Sequence, residues 1–167
     1  MDRANLGEGA GRDRGLGDEG PVVAGFLSPL AVREIEGDDE HWILLEPCIY
    51  HLKDAQGEEW VECPVGMVTD FGSIPRPLWG LPNLSPMGKF RRAYCVHDKT
   101  YIAPVVRSDT SARVIDRGEA DAILKEALLV LGATWLTRQT IWSAVRMGGW
   151  RAWRRYRRME LRPVLLE

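Results

Sequence analysis

Hydrophobic segments separated by a polar turn occupy part of the first half of the chain. Two segments, at about residues 41–53 and 58–68, are rich in β-branched and aromatic residues and are joined by the polar stretch Asp54–Gly57. Such residues favour strands, and polar residues with glycine favour the turn between two strands. The pattern predicts a β-hairpin, with Val32–Ile35 as a candidate third strand.

A proline-rich stretch follows the hairpin, from Ile74 to Pro86. Its prolines stand at positions 75, 77, 82 and 86. Each proline lacks a backbone donor and disfavours helix at the residue before it. The stretch is therefore predicted to be a shaped, irregular loop.

The second half of the chain shows the helical spacing of three and four residues. Helices are predicted at about residues 86–102, 117–131 and 134–158, the last interrupted at Gly148 and Gly149. One face of the first helix is formed by Phe90, Tyr94, His97 and Tyr101. Because a sheet is followed by helices, the predicted fold class is α+β, with a small antiparallel sheet or hairpin and a three-helix half.

A chain of 167 residues is long enough for one globular domain. We predict a single α+β domain at residues 21–158, with an arm at residues 1–20 and a tail at residues 159–167. The arm mixes glycine with charged residues and holds little that could be buried. It is predicted to be flexible or to order only against a partner subunit.

Composition narrows the classes of protein. The formal net charge is -2, so any attraction to nucleic acid or membrane must come from a local patch. We expect neither a signal peptide nor a transmembrane segment, because no apolar run has the required length or flanks. The cysteines lack the spacing of a structural zinc site and fit buried positions in a reducing compartment, and a disulfide between Cys48 and Cys63 is the alternative.

The first candidate cluster lies in the segment VTDFGSIPRPLW, residues 68–79. Asp70 can accept hydrogen bonds from the backbone amides that follow it, as in an Asx turn. With Ser73 and Arg76, it can hold the loop against the first helix and so support a site there. The ordinary interpretation is a turn that precedes a proline.

The second candidate cluster is HDKTY, residues 97–101. The His97 imidazole suits general-base catalysis near neutral pH. The Asp98 carboxylate, together with loop carbonyls, can bind a hard cation such as calcium. Tyr101 follows His97 by four residues, so it lies on the same helical face and can hydrogen bond close to it. The alternative is that the pair is structural.

Asp121 lies near the start of the second predicted helix, in GEADAILKEAL. If the first two helices are antiparallel neighbours, Asp121 lies across from His97. A carboxylate bonded to one ring nitrogen fixes the histidine tautomer and leaves the other nitrogen as a base. The alternative is an acidic residue placed to interact with the helix dipole.

The carboxyl-terminal helix interleaves aromatic residues with arginine. The candidate residues for binding phosphate or a partner are Arg151, Arg154, Arg155, Arg157 and Arg158. Arginine can bind phosphates while the tryptophans stack on bases or lie at a lipid interface. The alternative is an amphipathic helix with packed tryptophans and solvated arginines.

Four ordered blocks resemble a family of short phage and prophage proteins described only as a domain of unknown function. The blocks are VTDFGSIPRPLW, FRRAYCVHDKTY, GEADAILKEALLVLGA and WSAVRMGGWRAW, and the resemblance covers residues 59–153. It implies a phage or prophage origin and a location in the virion or, before assembly, in the host cytoplasm. No activity comes with it.

The motif His-Asp-x-x-Tyr, followed by an aspartate on a second helix, is similar to that of phospholipases that cleave the sn-2 ester. The resemblance implies that His97 activates water, that Asp98 holds calcium and that Asp121 orients His97. It makes Tyr101 a structural partner of this network. The glycine-rich calcium loop and the many disulfides of the secreted enzymes have no counterpart here.

Three functions follow as hypotheses. The first is a virion or tail-associated phage protein that contacts other virion subunits. The second is a hydrolase of lipid or another cell-envelope substrate, with His97 as the general base and a metal at Asp98. The third is a nucleic-acid-binding accessory protein that uses the arginine-rich helix.

Overall fold

The computed structural model describes residues 25–52, 58–72 and 88–160. These residues form strands and helices in an α+β arrangement, as predicted. The strands are β1 (Gly25–Phe26), β2 (Val32–Ile35), β3 (Asp38–Leu44), β4 (Cys48–His51), β5 (Trp60–Cys63), β6 (Val68–Thr69), β7 (Val105–Arg107) and β8 (Ala112–Val114). The helices are α1 (Arg91–Ile102), α2 (Arg117–Val130), α3 (Trp135–Gly148) and α4 (Trp150–Glu160).

The strands form two antiparallel sheets. A five-stranded sheet has the order β1-β4-β5-β7-β8, and a three-stranded sheet has the order β2-β3-β6. The predicted hairpin exists as the pair β4 and β5, with Cys48 opposite Cys63 and His51 opposite Trp60. The predicted third strand is β2, which pairs with β3. The turn that was predicted for the hairpin at residues 54–57 lies outside the described residues.

Both long strands of the predicted hairpin are broken, so that prediction was wrong in extent. The first segment divides between β3 and β4 around Pro47, and the second divides between β5 and β6 at the turn that follows Pro64. Gly66 adopts a positive φ of 79° there, and its amide donates to the Leu44 carbonyl at 2.9 Å. Proline and a left-handed glycine end strand pairing, so the two halves of each segment enter different sheets.

The helices begin and end near the predicted positions. Asp116 caps α2 by accepting a bond from the Glu119 amide at 2.8 Å. The helix α1 begins at Arg91, later than residue 86, because residues 88–90 form a turn. The third predicted helix is two helices, α3 and α4, separated at Gly149. The described helical half therefore has four helices where three were predicted.

The helix α1 is the centre of the packing. It contacts β4 and β5 on one side and α2 and α4 on others. Its buried residues are Ala93, Tyr94, Cys95, Val96, His97, Thr100 and Tyr101. The three cysteines are buried and free, so no disulfide joins Cys48 to Cys63. A histidine on such a helix is removed from bulk water on most sides.

In the part of the chain that the structure describes, no helix is both long enough and apolar enough to cross a membrane. The predicted amino-terminal arm lies outside the described residues. Of the predicted tail, the first two residues, 159 and 160, belong to α4.

Candidate functional site

The site centres on an imidazole and a carboxylate that face each other between α1 and α2. The Nε2 atom of His97 lies 3.1 Å from Oδ1 of Asp121. The two residues are 3% and 0% exposed, so the pair is almost dry. The helices α1 and α2 pack against each other, which places Asp121 across from His97, as the sequence predicted.

Asp121 is held by further donors. The Tyr101 hydroxyl donates to its Oδ1 at 2.6 Å, and Arg146 donates from Nη1 to its Oδ2 at 2.9 Å. Arg117, one helical turn before Asp121, lies 3.7 Å from the same Oδ2. A buried carboxylate is stable only when it is paired and hydrogen bonded in this way.

The electrostatics of the pair favour a neutral histidine and an ionised aspartate. Burial lowers the pKa of His97 below its usual 6.5, although Asp121 opposes this shift. Burial alone would raise the pKa of Asp121, but hydrogen bonds from His97, Tyr101 and Arg146 outweigh it and the pKa falls below 3.8. Because the ionised carboxylate can only accept, the neutral ring carries its proton on Nε2 and its lone pair on Nδ1.

A cleft of about 280 Å³ lies beside this pair. On one side its wall includes His97, Asp98 and Tyr101 from α1, and on the other it includes Arg155 and Tyr156 from α4. The imidazole is therefore at the boundary between the dry interior and a space that a small group can enter. That position suits a base that must meet a substrate.

Gly149 is needed for the close approach of α4 to this network. A Cβ atom at this position would lie 2.5 Å from the Tyr101 hydroxyl. At the neighbouring Gly148, an added Cβ would meet nothing within 4 Å. The break between α3 and α4, visible in the sequence as a glycine pair, thus allows the backbone to contact Tyr101.

Asp98 is tied to the segment that follows β6. The Thr69 hydroxyl donates to Asp98 Oδ2 at 2.5 Å, and the Phe71 amide donates to the same Thr69 oxygen at 3.1 Å. Asp70 accepts from the Gly72 amide at 2.9 Å, which is the Asx turn that the sequence predicted. Asp70 and Asp98 both line the cleft.

The predicted supporting residues Ser73 and Arg76 lie outside the described residues. For the predicted cation, the described chain offers no group of three His, Cys, Asp or Glu side chains that could hold a metal ion. Asp70 and Asp98 are the carboxylates that a cation in the cleft would meet. Calcium at Asp98 therefore stays a prediction.

The arginines of α4 divide into two groups. Arg157 points inward, donates to the carbonyls of Tyr101 and Ile102 at 2.9 and 2.8 Å, and stacks on the Trp153 ring. The other four are exposed, and they are Arg151, Arg154, Arg155 and Arg158. Arg155 is also part of the cleft wall.

Sequence reasoning missed three residues that complete the site. Thr69 gives no local signal, because its bond to Asp98 joins residues that are distant in the chain. Arg146 is an arginine within an apolar stretch, which was a usable signal, but its partner could not be read from the sequence. Arg117 was the easiest of the three to predict from the sequence, because it precedes Asp121 by four residues and residues at that spacing share a helical face.

Together these features define a small α+β protein with a buried His–Asp pair at the wall of a cleft. A family model described as a protein of unknown function, DUF1353, matches residues 42–145. The match covers well over half of the chain, so this protein belongs to that family. It includes His97, Asp98, Tyr101 and Asp121, and it ends before α4. No curated protein and no solved structure matches the chain.

Proposed function

We propose that this protein is a hydrolase that cleaves an ester or amide of a lipid or another cell-envelope substrate, with His97 as the general base. The observation that carries this proposal is the His97–Asp121 pair, buried and 3.1 Å apart, at the wall of a cleft. A neutral imidazole oriented by a carboxylate is the arrangement by which proteins activate water or a hydroxyl group.

The reaction needs one proton transfer in each direction. A water molecule gives a proton to Nδ1 of His97 while its oxygen bonds to the carbonyl carbon of the substrate. Asp121 stabilises the imidazolium that forms, which offsets the cost of charging a buried ring. As the bond from the carbonyl carbon to the leaving group breaks, the imidazolium returns the proton to the leaving oxygen or nitrogen.

Tyr101 and Arg146 are positioning residues in this mechanism. They donate to opposite oxygens of Asp121, and thereby fix its plane and keep it ionised. An ionised Asp121 in turn holds the Nε2 proton of His97, so the lone pair stays on Nδ1. The chemistry thus depends on a chain of contacts from α3 through α2 to α1.

Ester release from sn-2 labelled phospholipid vesicles, and from small chromogenic esters, tests the proposal. We expect His97→Gln to lower the rate by about 10²–10⁴-fold, with Asp121→Asn in the same range. His41 is a matched control, because it also bonds an aspartate, Asp38, at 2.8 Å but does not line the cleft. His41→Gln should keep the full rate. A folded His97→Gln protein that is as active as the wild type would refute the mechanism.

The same assay tests the predicted cation. If Asp98 binds calcium, then calcium should raise the rate of the wild type, and Asp98→Ala should abolish that response. If activity is unaffected by calcium and by chelators, Asp98 serves the contact to Thr69 and the cation prediction is wrong.

A virion-associated role is a second candidate function. The bond between Thr69 and Asp98 supports it only in part, because this contact fits a structural use of the His-Asp pair, as expected for an assembly protein. Mass spectrometry of purified virions from a phage or induced prophage that encodes this chain would test it. Detection at a fixed ratio to the other virion subunits supports the role, and absence from the particles contradicts it.

A further inference from the structure

The outward face of α4 carries positive charge that no acidic residue within residues 25–52, 58–72 and 88–160 neutralises. Its exposed members are Arg151, Arg154, Arg155 and Arg158. None of the four forms an ion pair with a carboxylate of the described chain. By contrast, the exposed Arg113 is paired with Glu59 and Glu119. In a chain with a formal net charge of -2, an unpaired group of four arginines is a local electrostatic feature.

Trp150 lies within this positive face. The guanidinium groups of Arg151 and Arg154 lie 5.3 and 5.1 Å from its ring centroid, one turn apart on the helix. The residue is 43% exposed although tryptophan has a large apolar side chain. Trp150, Met159 and the exposed arginines line a shallow groove on this side of α4. The face is thus cationic and apolar at once.

The apolar part of this surface continues from α4 onto α3. Gly149, the residue between the two helices, has right-handed helical dihedrals, with φ -67° and ψ -16°. Leu136 and Met147 are eleven residues apart and so share one stripe of α3, and Trp150 follows Met147 by three residues at the start of α4. They are 68%, 74% and 43% exposed. Large apolar side chains seldom line up in water without a partner.

We propose that this surface, formed by the outward faces of α3 and α4, docks the protein on an anionic lipid bilayer. Arginine binds lipid phosphates, tryptophan favours the level of the head groups, and the apolar side chains enter the boundary of the acyl chains. Arg155 belongs both to this surface and to the wall of the cleft. A docked molecule therefore presents the opening beside His97 to the membrane.

The apolar stripe distinguishes a bilayer from nucleic acid. Phosphodiesters and stacked bases would satisfy the arginines and Trp150, but they offer nothing to Leu136 and Met147. An anionic bilayer satisfies both the charged and the apolar members of the surface. The inference deepens the proposed function, because it makes membrane phospholipid the substrate class. Only this substrate assignment rests on the proposed hydrolase activity, and the docking itself does not.

Vesicle co-sedimentation tests the docking independently of catalysis. The full chain carrying His97→Gln is mixed with vesicles of phosphatidylcholine alone or of phosphatidylcholine with an equal share of phosphatidylglycerol. We expect binding to the anionic vesicles to be at least about tenfold tighter, and to weaken as salt is raised. Equal binding to both vesicles, or binding to neither, would overturn the inference.

Two variants and a control locate the contact. Arg151→Gln combined with Arg154→Gln should weaken anionic vesicle binding about tenfold or more, and Trp150→Ala should weaken binding to both vesicle types. Arg107→Gln is the control, because Arg107 is exposed on β7 and does not line the groove on α4. Circular dichroism checks that each variant is folded. If the control weakens binding as much as the double variant, α4 is not the docking face.

Two further results separate the possibilities. Tight binding to single-stranded DNA, with none to anionic vesicles, would assign the surface to nucleic acid and overturn the inference. Tight vesicle binding by wild-type protein that releases no fatty acid would support docking and refute the proposed hydrolase instead. The two proposals can therefore fail separately.

Discussion

The two walls of the cleft use charge in opposite ways. On the α1 side, the Asp121 carboxylate is fully buried and bonded to His97, Tyr101 and Arg146. On the α4 side, Arg155 and its neighbours are exposed and meet aromatic rings but no described carboxylate. A buried, paired charge is fixed in place and sets the state of a catalytic group, whereas an exposed, unpaired charge is available to a ligand. Under the two proposals, the first wall carries the chemistry and the second wall carries the recognition of the membrane.

The largest effect on stability should come from the buried wall. Asp121→Ala removes the shared acceptor and leaves Arg146, Tyr101 and His97 without it. Loss of one member of a buried ion pair costs about 3–5 kcal/mol, and we expect about 3 kcal/mol because Arg146 reaches water. The free energy of unfolding from urea denaturation measures this cost. Asp38→Ala at the exposed pair with His41 is the control and should change little.

The glycine pair between α3 and α4 offers the next test. Gly149→Ala places a methyl group against the Tyr101 hydroxyl and should destabilise the fold by about 1–3 kcal/mol. Gly148→Ala meets nothing within 4 Å and should be neutral or stabilising by up to about 1 kcal/mol. Thermal unfolding of the two variants compares them directly. Equal midpoints would show that α4 does not pack as closely on Tyr101 as described.

The pH dependence of stability should separate two histidines. The pKa of His97 is lowered from 6.5 by burial, so below that pH the unfolded chain binds a proton that the folded state does not. Protonation of His97 in the unfolded chain therefore lowers the free energy of unfolding as the pH falls. The pKa of His41 is raised, chiefly by its bond to Asp38, so its contribution is present at low pH and is lost as the pH rises.

Denaturation between about pH 5 and 8 measures both terms. His97→Gln should make the decline of stability toward acid shallower than in the wild type, whereas His41→Gln should make it steeper. A steeper acid decline in His97→Gln would mean that the imidazole is charged in the folded protein, and it would contradict the neutral assignment.

The smallest effect on stability is expected on the exposed wall. Arg154→Gln removes a surface charge that has no carboxylate partner in the part of the chain that the structure describes, so the free energy of unfolding should change by less than about 0.5 kcal/mol. The same substitution should still weaken binding to anionic vesicles. Urea denaturation beside vesicle binding checks both. A marked loss of stability would mean that Arg154 stabilises the folded state. It would contradict the distinction between a buried, stabilising wall and an exposed wall that is available to a ligand.

Local signals in the sequence were sufficient for the helices and for part of the site. The helix α2 begins after Asp116, whose side chain caps it. The backbone changes direction after the helix at Gly132, which has a positive φ. His97 and Tyr101 share a face because they are four residues apart, and both contact Asp121 as a result. These relations depend on spacing within one element or between two consecutive helices.

Relations between distant segments could not be predicted in this way. The division of the expected hairpin between two sheets depends on which strands find partners, and the short strands β7 and β8 pair at an edge that no local pattern marks. Arg146 bonds Asp121, which is 25 positions away in the sequence, and Thr69 bonds Asp98, which is 29 positions away. Sequence spacing carries no information about such pairs unless the packing is known.

The most direct test of the account is the tautomer and pKa of His97, observed by nitrogen-15 NMR of labelled protein through a pH titration. The signals are assigned by comparison with His97→Gln. We predict a neutral ring at pH 7 with its proton on Nε2, and a pKa below 6.5. Loss of Asp121 in Asp121→Asn should disturb this tautomer. A ring that is protonated at neutral pH, or that carries its proton on Nδ1, would contradict the claim that Asp121 prepares His97 as a base.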